Sequence, residues 1–390
     1  MNRRITICIL LLSLTIACAP TAIIRPVTPT ATQTSPPPTI TQPPPASSVA
    51  PTVTPEPPRK VPLPPPGYLY HGVFPGGISG EEDDLSLNDL RVYEQAAGKT
   101  TVWVYFSHNW YHSRTFPLET AAWIREAGSI PYIRLMLRTA AGSQYEPVYS
   151  LQNIINGDFD NDLRAWARAA RDFGTPIIAE YGTEMNGDWF PWNGHWNGAG
   201  KTDGYGDPAY PDGPERFRDS YRYIIQMCRE EGADNITWVF HVNGDDWPVA
   251  SWNHFELYYP GDEWIDWLGV SIYGAQTPLD DWWDEFPDMM DAAYPRLTAL
   301  APSKPIIVAE FAVTTNNPLG SQAGWAERAL AGLTAFRWPA VIGFSWWNET
   351  WQNDENLSHN TDMRVQKNPD LIAVFHQYIG DNPAVLGRLP

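Results

Sequence analysis

The chain has 390 residues, long enough for one large α/β barrel or for two ordinary domains, and its 19 Trp and 18 Tyr are too many to be spent on a core alone. Its formal charge is −19, of which residues 1–66 contribute +4 and residues 67–390 therefore −23. Such a field repels nucleic acid and other polyanions and is indifferent to a neutral polymer, and no Gly-rich phosphate loop argues otherwise.

The chain opens with Arg3 and Arg4 ahead of an uncharged apolar run from Ile5 to Ala17, too short for a permanent bilayer span and suited to a secretory signal over residues 1–18. Ala17-Cys18 resembles a bacterial lipobox, with Thr15 where Leu is usual, and ordinary cleavage after Ala19 would leave Pro20 beside the cut. A lipoprotein acylated on Cys18 is expected, extracytoplasmic and touching the membrane only through its lipid. Residues 19–66 are dominated by Pro, Thr, Ser and Ala and cannot build a core. Proline favours extended polyproline II, so this linker reads as a semi-stiff tether reaching on the order of 150 Å at about 3.1 Å per residue. Of the three cysteines only Cys228 falls in the folded part, where a buried helical position is its simplest reading and no internal disulfide is open to it.

From Gly67 onward strand-like runs alternate with amphipathic ones in a repeated βα pattern. Eight strands are predicted: Tyr68 to Phe74, Thr101 to Phe106, Ile130 to Leu137, Pro176 to Tyr181, Ile236 to Val242, Trp264 to Tyr273, Pro305 to Glu310 and Ala340 to Trp346. Helices are predicted over Ser86 to Ala97, Leu118 to Ala127, Leu163 to Phe173, Pro214 to Glu231, Trp283 to Leu300, Gln322 to Phe336 and Leu371 to Tyr378. Ser86 and Asp160 to Asp162 sit near the predicted starts, and Gly128, Gly174 and Gly232 just past helix ends. The fold expected is α/β, a single (β/α)8 TIM barrel over residues 67–390.

Two predicted strands end in an acid. Ile177-Ile-Ala-Glu-Tyr-Gly-Thr-Glu184-Met-Asn-Gly-Asp-Trp-Phe-Pro-Trp192 closes on a carboxylate, an amide and aromatics, and Pro305-Ile-Ile-Val-Ala-Glu310 closes on a second carboxylate. In such barrels catalytic side chains project from strand C-termini. Two carboxylates facing one gap can split a glycosidic bond, one protonating the leaving oxygen while the other attacks the anomeric carbon. Indole rings nearby would stack on the C–H faces of sugars.

Glu184-Met-Asn-Gly-Asp-Trp189 resembles the acid/base motif of family 26 glycoside hydrolases, the β-mannanase family of clan A. The likeness continues colinearly through Ile236 to Asn243, Tyr258 to Asp262 and Asp266 to Tyr273 as far as Glu310. The resemblance implies a retaining enzyme with Glu184 as acid/base, its pKa raised by burial, and Glu310 as an ionised nucleophile held by Tyr273. It also implies Trp189 beside the cleaved bond and a stacking platform at Trp346 or Trp347. Strand alternation lets only one of that pair point inward, and Trp346 is preferred because Phe344 also reads as barrel interior. Asn186 would bind a sugar hydroxyl or fix its loop, and Trp192, His108 and Asn243 are further candidates for the substrate. Family members often carry His where this chain has Thr183, and an Arg where it has Ala179 and Glu180. A buried Glu180 needs a cation, and Arg134 on the next strand is the expected partner.

The eight histidines lie singly without metal-ligand spacing, so neither a metal nor a cofactor is expected. Nothing in the sequence demands a partner chain, and a monomer acting on a neutral polysaccharide is the expectation. An endo-β-1,4-mannanase leads. Mixed-linkage β-glucanase or β-xylanase activity on the same scaffold is the alternative, and a carbohydrate-binding surface lipoprotein without turnover is the rival of another class.

Overall fold

A computed structural model describes residues 60–77 and 79–390. The signal segment, Cys18 and nearly all of the Pro/Thr-rich linker lie outside these residues. Eight parallel strands close the barrel: β1 (Leu69–Phe74), β2 (Trp103–Asn109), β3 (Ile130–Met136), β4 (Ile177–Tyr181), β5 (Ile236–Asn243), β6 (Trp267–Tyr273), β7 (Ile306–Ala312) and β8 (Val341–Trp347), and the two-residue strand Val385–Leu386 adds to the same sheet beside β1. Each pairs with the next in order, and β8 returns to pair with β1, Tyr70 opposite Gly343 through Phe74 opposite Trp347. The sheet is closed, so the (β/α)8 barrel expected from the alternating pattern is the fold.

Eight helices wrap it: α1 (Leu87–Ala97), α2 (Leu118–Glu126), α3 (Leu151–Ile155), α4 (Asp160–Phe173), α5 (Asp212–Glu230), α6 (Phe286–Leu300), α7 (Gln322–Thr334) and α8 (Pro369–Phe375). Only a short 3-10 turn, Phe255–Tyr258, stands between β5 and β6. The start of α1 is fixed by reciprocal bonds between Ser86 and Asp89, a capping box. The end of α4 is fixed by Gly174 at φ 75°, a left-handed turn that a side chain would disfavour. The five-residue α3 is too short to show helical periodicity and was not anticipated. Cys228 is buried on α5, where burial pushes its thiol up to about 12 and leaves it inert.

Packing begins earlier than the composition change at Gly67 suggests. The Val61 side chain is buried and its N–H donates to Thr237 Oγ1 at 3.0 Å, while Lys60 Nζ lies 2.8 Å from Asp266. The Tyr70 hydroxyl donates to the carbonyl of Pro62. Thr237 opens β5 and Asp266 immediately precedes β6, so residues 60–66 strap the end of the barrel where strands begin. Among the described residues no helix is long and apolar enough to cross a membrane.

Candidate active site

A cleft of about 1040 Å³ opens where the strands end, and Glu184, Trp189, Tyr273, Glu310 and Trp347 all line it. Glu184 sits three residues past β4, at φ 50°, a backbone conformation few non-glycine residues adopt. The turn is held by the Glu184 N–H donating to the His241 carbonyl at 2.9 Å, and strain of this kind persists only where the surroundings overdetermine it. The Trp189 indole then donates to Glu184 Oε2 at 2.8 Å and orients the carboxyl.

Glu310 reaches the cleft through an irregularity in the sheet. The β6–β7 register steps from Val270 opposite Val308 to Ser271 opposite Glu310, leaving Ala309 unopposed. Such a bulge re-aims the side chain that follows it. Three donors converge on the carboxylate: Tyr273 on Oε2 at 2.8 Å, and Tyr105 at 2.9 Å and Arg134 at 3.1 Å on Oε1. Burial nevertheless lifts Glu310 to about 7, helped by the charge of Glu184 and opposed by Arg134 and His241. The Tyr273 bond expected from the sequence is present.

The Arg134–Glu180 pair expected from the sequence does not form, although the two residues stand opposite one another on β3 and β4. Arg134 turns to Glu82 at 2.5 Å and Glu310. Glu180 is fully buried and takes its cation from His241, 3.0 Å away, with the hydroxyls of Tyr105 and Tyr132 each at 2.5 Å. The carboxylate raises the His241 pKa, and its protonated ring stabilises Glu180, whose pKa stays below the usual carboxylate value despite complete burial.

The remaining candidates divide. Trp347 lines the cleft, with Phe74 stacked on one face at 3.8 Å between ring centroids. Trp346 does not: it points out of the barrel against Phe311 and Phe375 and donates to the Met363 carbonyl. The preference for Trp346 was misplaced because both faces of a parallel barrel strand are buried, one against the barrel interior and one against helices. Phe344 therefore carried no information about direction, whereas Ser345, bonded to Trp103 across the interior, marks the inward set. Asn186 is fully buried, its amide donating to the carbonyls of Asn243 and Asp245 and its oxygen taken by the Asn243 N–H, so it fixes the loop and has no group left for a sugar. Trp192 is buried beneath the cleft, donating to the Thr183 carbonyl and stacked on Phe190, which takes its place in the cleft wall. His108 follows the inward-facing Ser107 along β2 and so faces away from the cleft, where burial drives its pKa down to about 4. Asn243 lines the cleft.

Several residues at or beside the cleft were misassigned or passed over in the sequence reading. Arg134 was assigned to Glu180 and not to Glu310, and Tyr105, which bonds Glu310 from within β2, was passed over. Glu349 follows β8 just as Glu184 follows β4, a third acid behind a strand end that was passed over. Asp246, His254 and Glu256 lie close enough to share a cation, and Arg296 already bridges Asp246 at 2.7 Å and Glu256 at 2.8 Å.

Residues 140–320, a span holding both Glu184 and Glu310, match the pattern of Glycosyl hydrolase family 26. Endoglucanase H of Acetivibrio thermocellus is 27% identical over 261 residues, 66% of this chain and 26% of that protein. A mannan endo-1,4-beta-mannosidase of Bifidobacterium adolescentis is 27% identical over 150 residues, 37% of this chain and 13% of that protein. The chain thus spans about a quarter or less of the length of these relatives. Among solved structures, an endo-beta-1,4-mannanase of Cellulomonas fimi shares the fold with a TM-score of 0.57 at 20% identity, over 82% of this chain and 72% of that one. The closed barrel and the two carboxylates at the strand ends agree with this likeness to glycosyl hydrolase family 26.

Proposed function

We propose that the barrel hydrolyses internal β-linkages of a neutral polysaccharide with retention of configuration, β-1,4-mannan being the first substrate to try. Glu184 protonates the glycosidic oxygen while Glu310 attacks the anomeric carbon; the leaving chain departs with that proton and a glycosyl–Glu310 ester remains. Glu184, now a base, takes a proton from water, which opens the ester and regenerates both groups. The observation that carries this reading is the pair of carboxylates lining one cleft, one held by Trp189 and the other by Tyr273, Tyr105 and Arg134.

A second substrate, mixed-linkage β-glucan, is favoured by the relative that matches two thirds of this chain being an endoglucanase. The chemistry is the same and the sugar differs. The test is product release by residues 60–390 from glucomannan, galactomannan, mixed-linkage glucan and xylan, with Glu310→Ala alongside and the anomer of the first product read by proton NMR. One polymer cut with retention and a silent variant support the proposal. An inverted product refutes the covalent intermediate, and binding without release makes the protein a carbohydrate-binding module. We also propose lipid attachment at Cys18, for which the support is the Ala17-Cys18 sequence after an apolar run. Metabolic labelling with a fatty acid, lost in Cys18→Ala, tests it.

A further inference from the structure

Glu349 has no place in the two-carboxylate reaction, yet it is built into the same cleft. The residue is 2% exposed and lines the cleft beside Trp347 and Trp351. One oxygen, Oε2, accepts from the Trp347 indole at 3.0 Å, while Oε1 is buried without a partner. The backbone beneath is fixed from two sides. The Met363 N–H donates to the Glu349 carbonyl at 2.9 Å, and Gly76 presses so close that a Cβ there would meet the Asn348 carbonyl oxygen at 2.6 Å and Glu349 Cα at 2.9 Å. The backbone is therefore fixed beneath a carboxyl that the Trp347 indole holds by one oxygen.

An ionised group there would be badly served. The charged groups facing it are Glu82 on the loop after β1, Arg134 on β3 and Glu310 on β7, with Arg138 behind Glu82. Arg134 is already paired with Glu82 and Glu310, so two anions and no free cation surround Glu349. A buried carboxylate with an oxygen that accepts no hydrogen bond and with no cation is costly, whereas a neutral carboxylic acid in the same place has a proton to donate.

We propose that Glu349 is a substrate-reading residue whose neutral carboxyl donates a hydrogen bond through Oε1 to a hydroxyl of the sugar unit resting on Trp347 and Trp351. The acid at once orients the Trp347 platform, through Oε2, and selects the sugar laid against it. Burial and the charge of Glu82 push its pKa up to about 8, so the donor is present at neutral pH and lost above that value. The role makes Glu349 a determinant of which polysaccharide is accepted and so rests on the hydrolase reading, although its binding consequence is measurable without turnover.

The test is oligosaccharide binding, followed by tryptophan fluorescence across neutral to alkaline pH with mannohexaose and a mixed-linkage glucohexaose. It is done in a Glu184→Gln background, which removes hydrolysis. The affinity for at least one probe is expected to weaken as pH passes about 8. Adding Glu349→Gln, which keeps an acceptor for Trp347 and a permanent N–H donor, is expected to hold the neutral-pH affinity within about threefold and flatten the pH dependence. Adding Glu349→Ala is expected to weaken binding roughly tenfold or more at neutral pH. The proposal is overturned if Glu349→Gln binds as poorly as Glu349→Ala at neutral pH, which would mean that an anion is required. It is equally overturned if the alkaline loss persists in Glu349→Gln, or if neither probe binds. A wild-type protein that cuts no polysaccharide sinks the hydrolase reading separately, since the binding titration still decides whether Glu349 reads a sugar.

Discussion

At the scale of single residues the site turns on how Glu310 is kept ionised inside a barrel. Its pKa of about 7 places an acid limb on kcat/KM: activity should fall tenfold per pH unit below about 7 as the nucleophile takes up a proton. Arg134 lowers that pKa, so Arg134→Met should move the limb to higher pH, which a pH–rate profile would show. The same burial has a stability cost. The folded-state pKa lies above the ordinary 4.5, so the folded protein binds the proton more tightly than the unfolded chain does. The cost is therefore absent below about pH 4.5, grows between there and about 7, and is full above. Glu310→Gln should be more stable than wild type by up to about 3 kcal/mol above pH 7, with the gain vanishing in acid. Urea melts at two pH values would settle it, and an equal gain at both would refute the linkage. Glu184, Glu310 and Tyr273 were legible in the sequence because each ends a recognisable run. The partners of Glu180 were not, because strand register alone brings Arg134 and Glu180 opposite without saying which way a long guanidinium will reach.

At the scale of elements, β8 shows what an apolar run conceals. Its outward set, Phe344 and Trp346, packs on helices, and its inward set, Ser345 and Trp347, faces the barrel, but both faces are dry. Trp346→Ala should cost roughly 3–5 kcal/mol of stability through the cavity it leaves, measured by chemical denaturation. Trp189→Ala removes a side chain that is 36% exposed and should cost much less stability. It does remove the bond to Glu184, so kcat/KM should fall roughly 10- to 100-fold. The opposite ranking, with Trp189→Ala unfolding the protein and Trp346→Ala sparing it, would contradict the placement. All eight strands and seven of the eight helices could be read from period, caps and breaks. The β7 bulge that delivers Glu310 could not, because a bulge depends on what the neighbouring strand offers and leaves no local mark in Val308-Ala-Glu310.

At the scale of the whole molecule, the charge of −19 does not steer an uncharged polymer. KM for the polysaccharide should hold within about twofold from roughly 0.05 to 0.5 M salt, a range over which an electrostatically steered ligand would weaken strongly. A steep salt dependence would point to a charged substrate instead. The strap formed by residues 60–66 gives the barrel two ends with different work. Lys60 is moored to Asp266 and Val61 to Thr237, at the mouths of strands whose other ends form the cleft wall around Glu184 and Glu310. Lys60 thus lies on the side away from the carboxylates. A probe or solid support coupled at Lys60 leaves the entrance to the cleft clear, so that end of the barrel is the place to grip this protein when a large polymer is offered to the cleft.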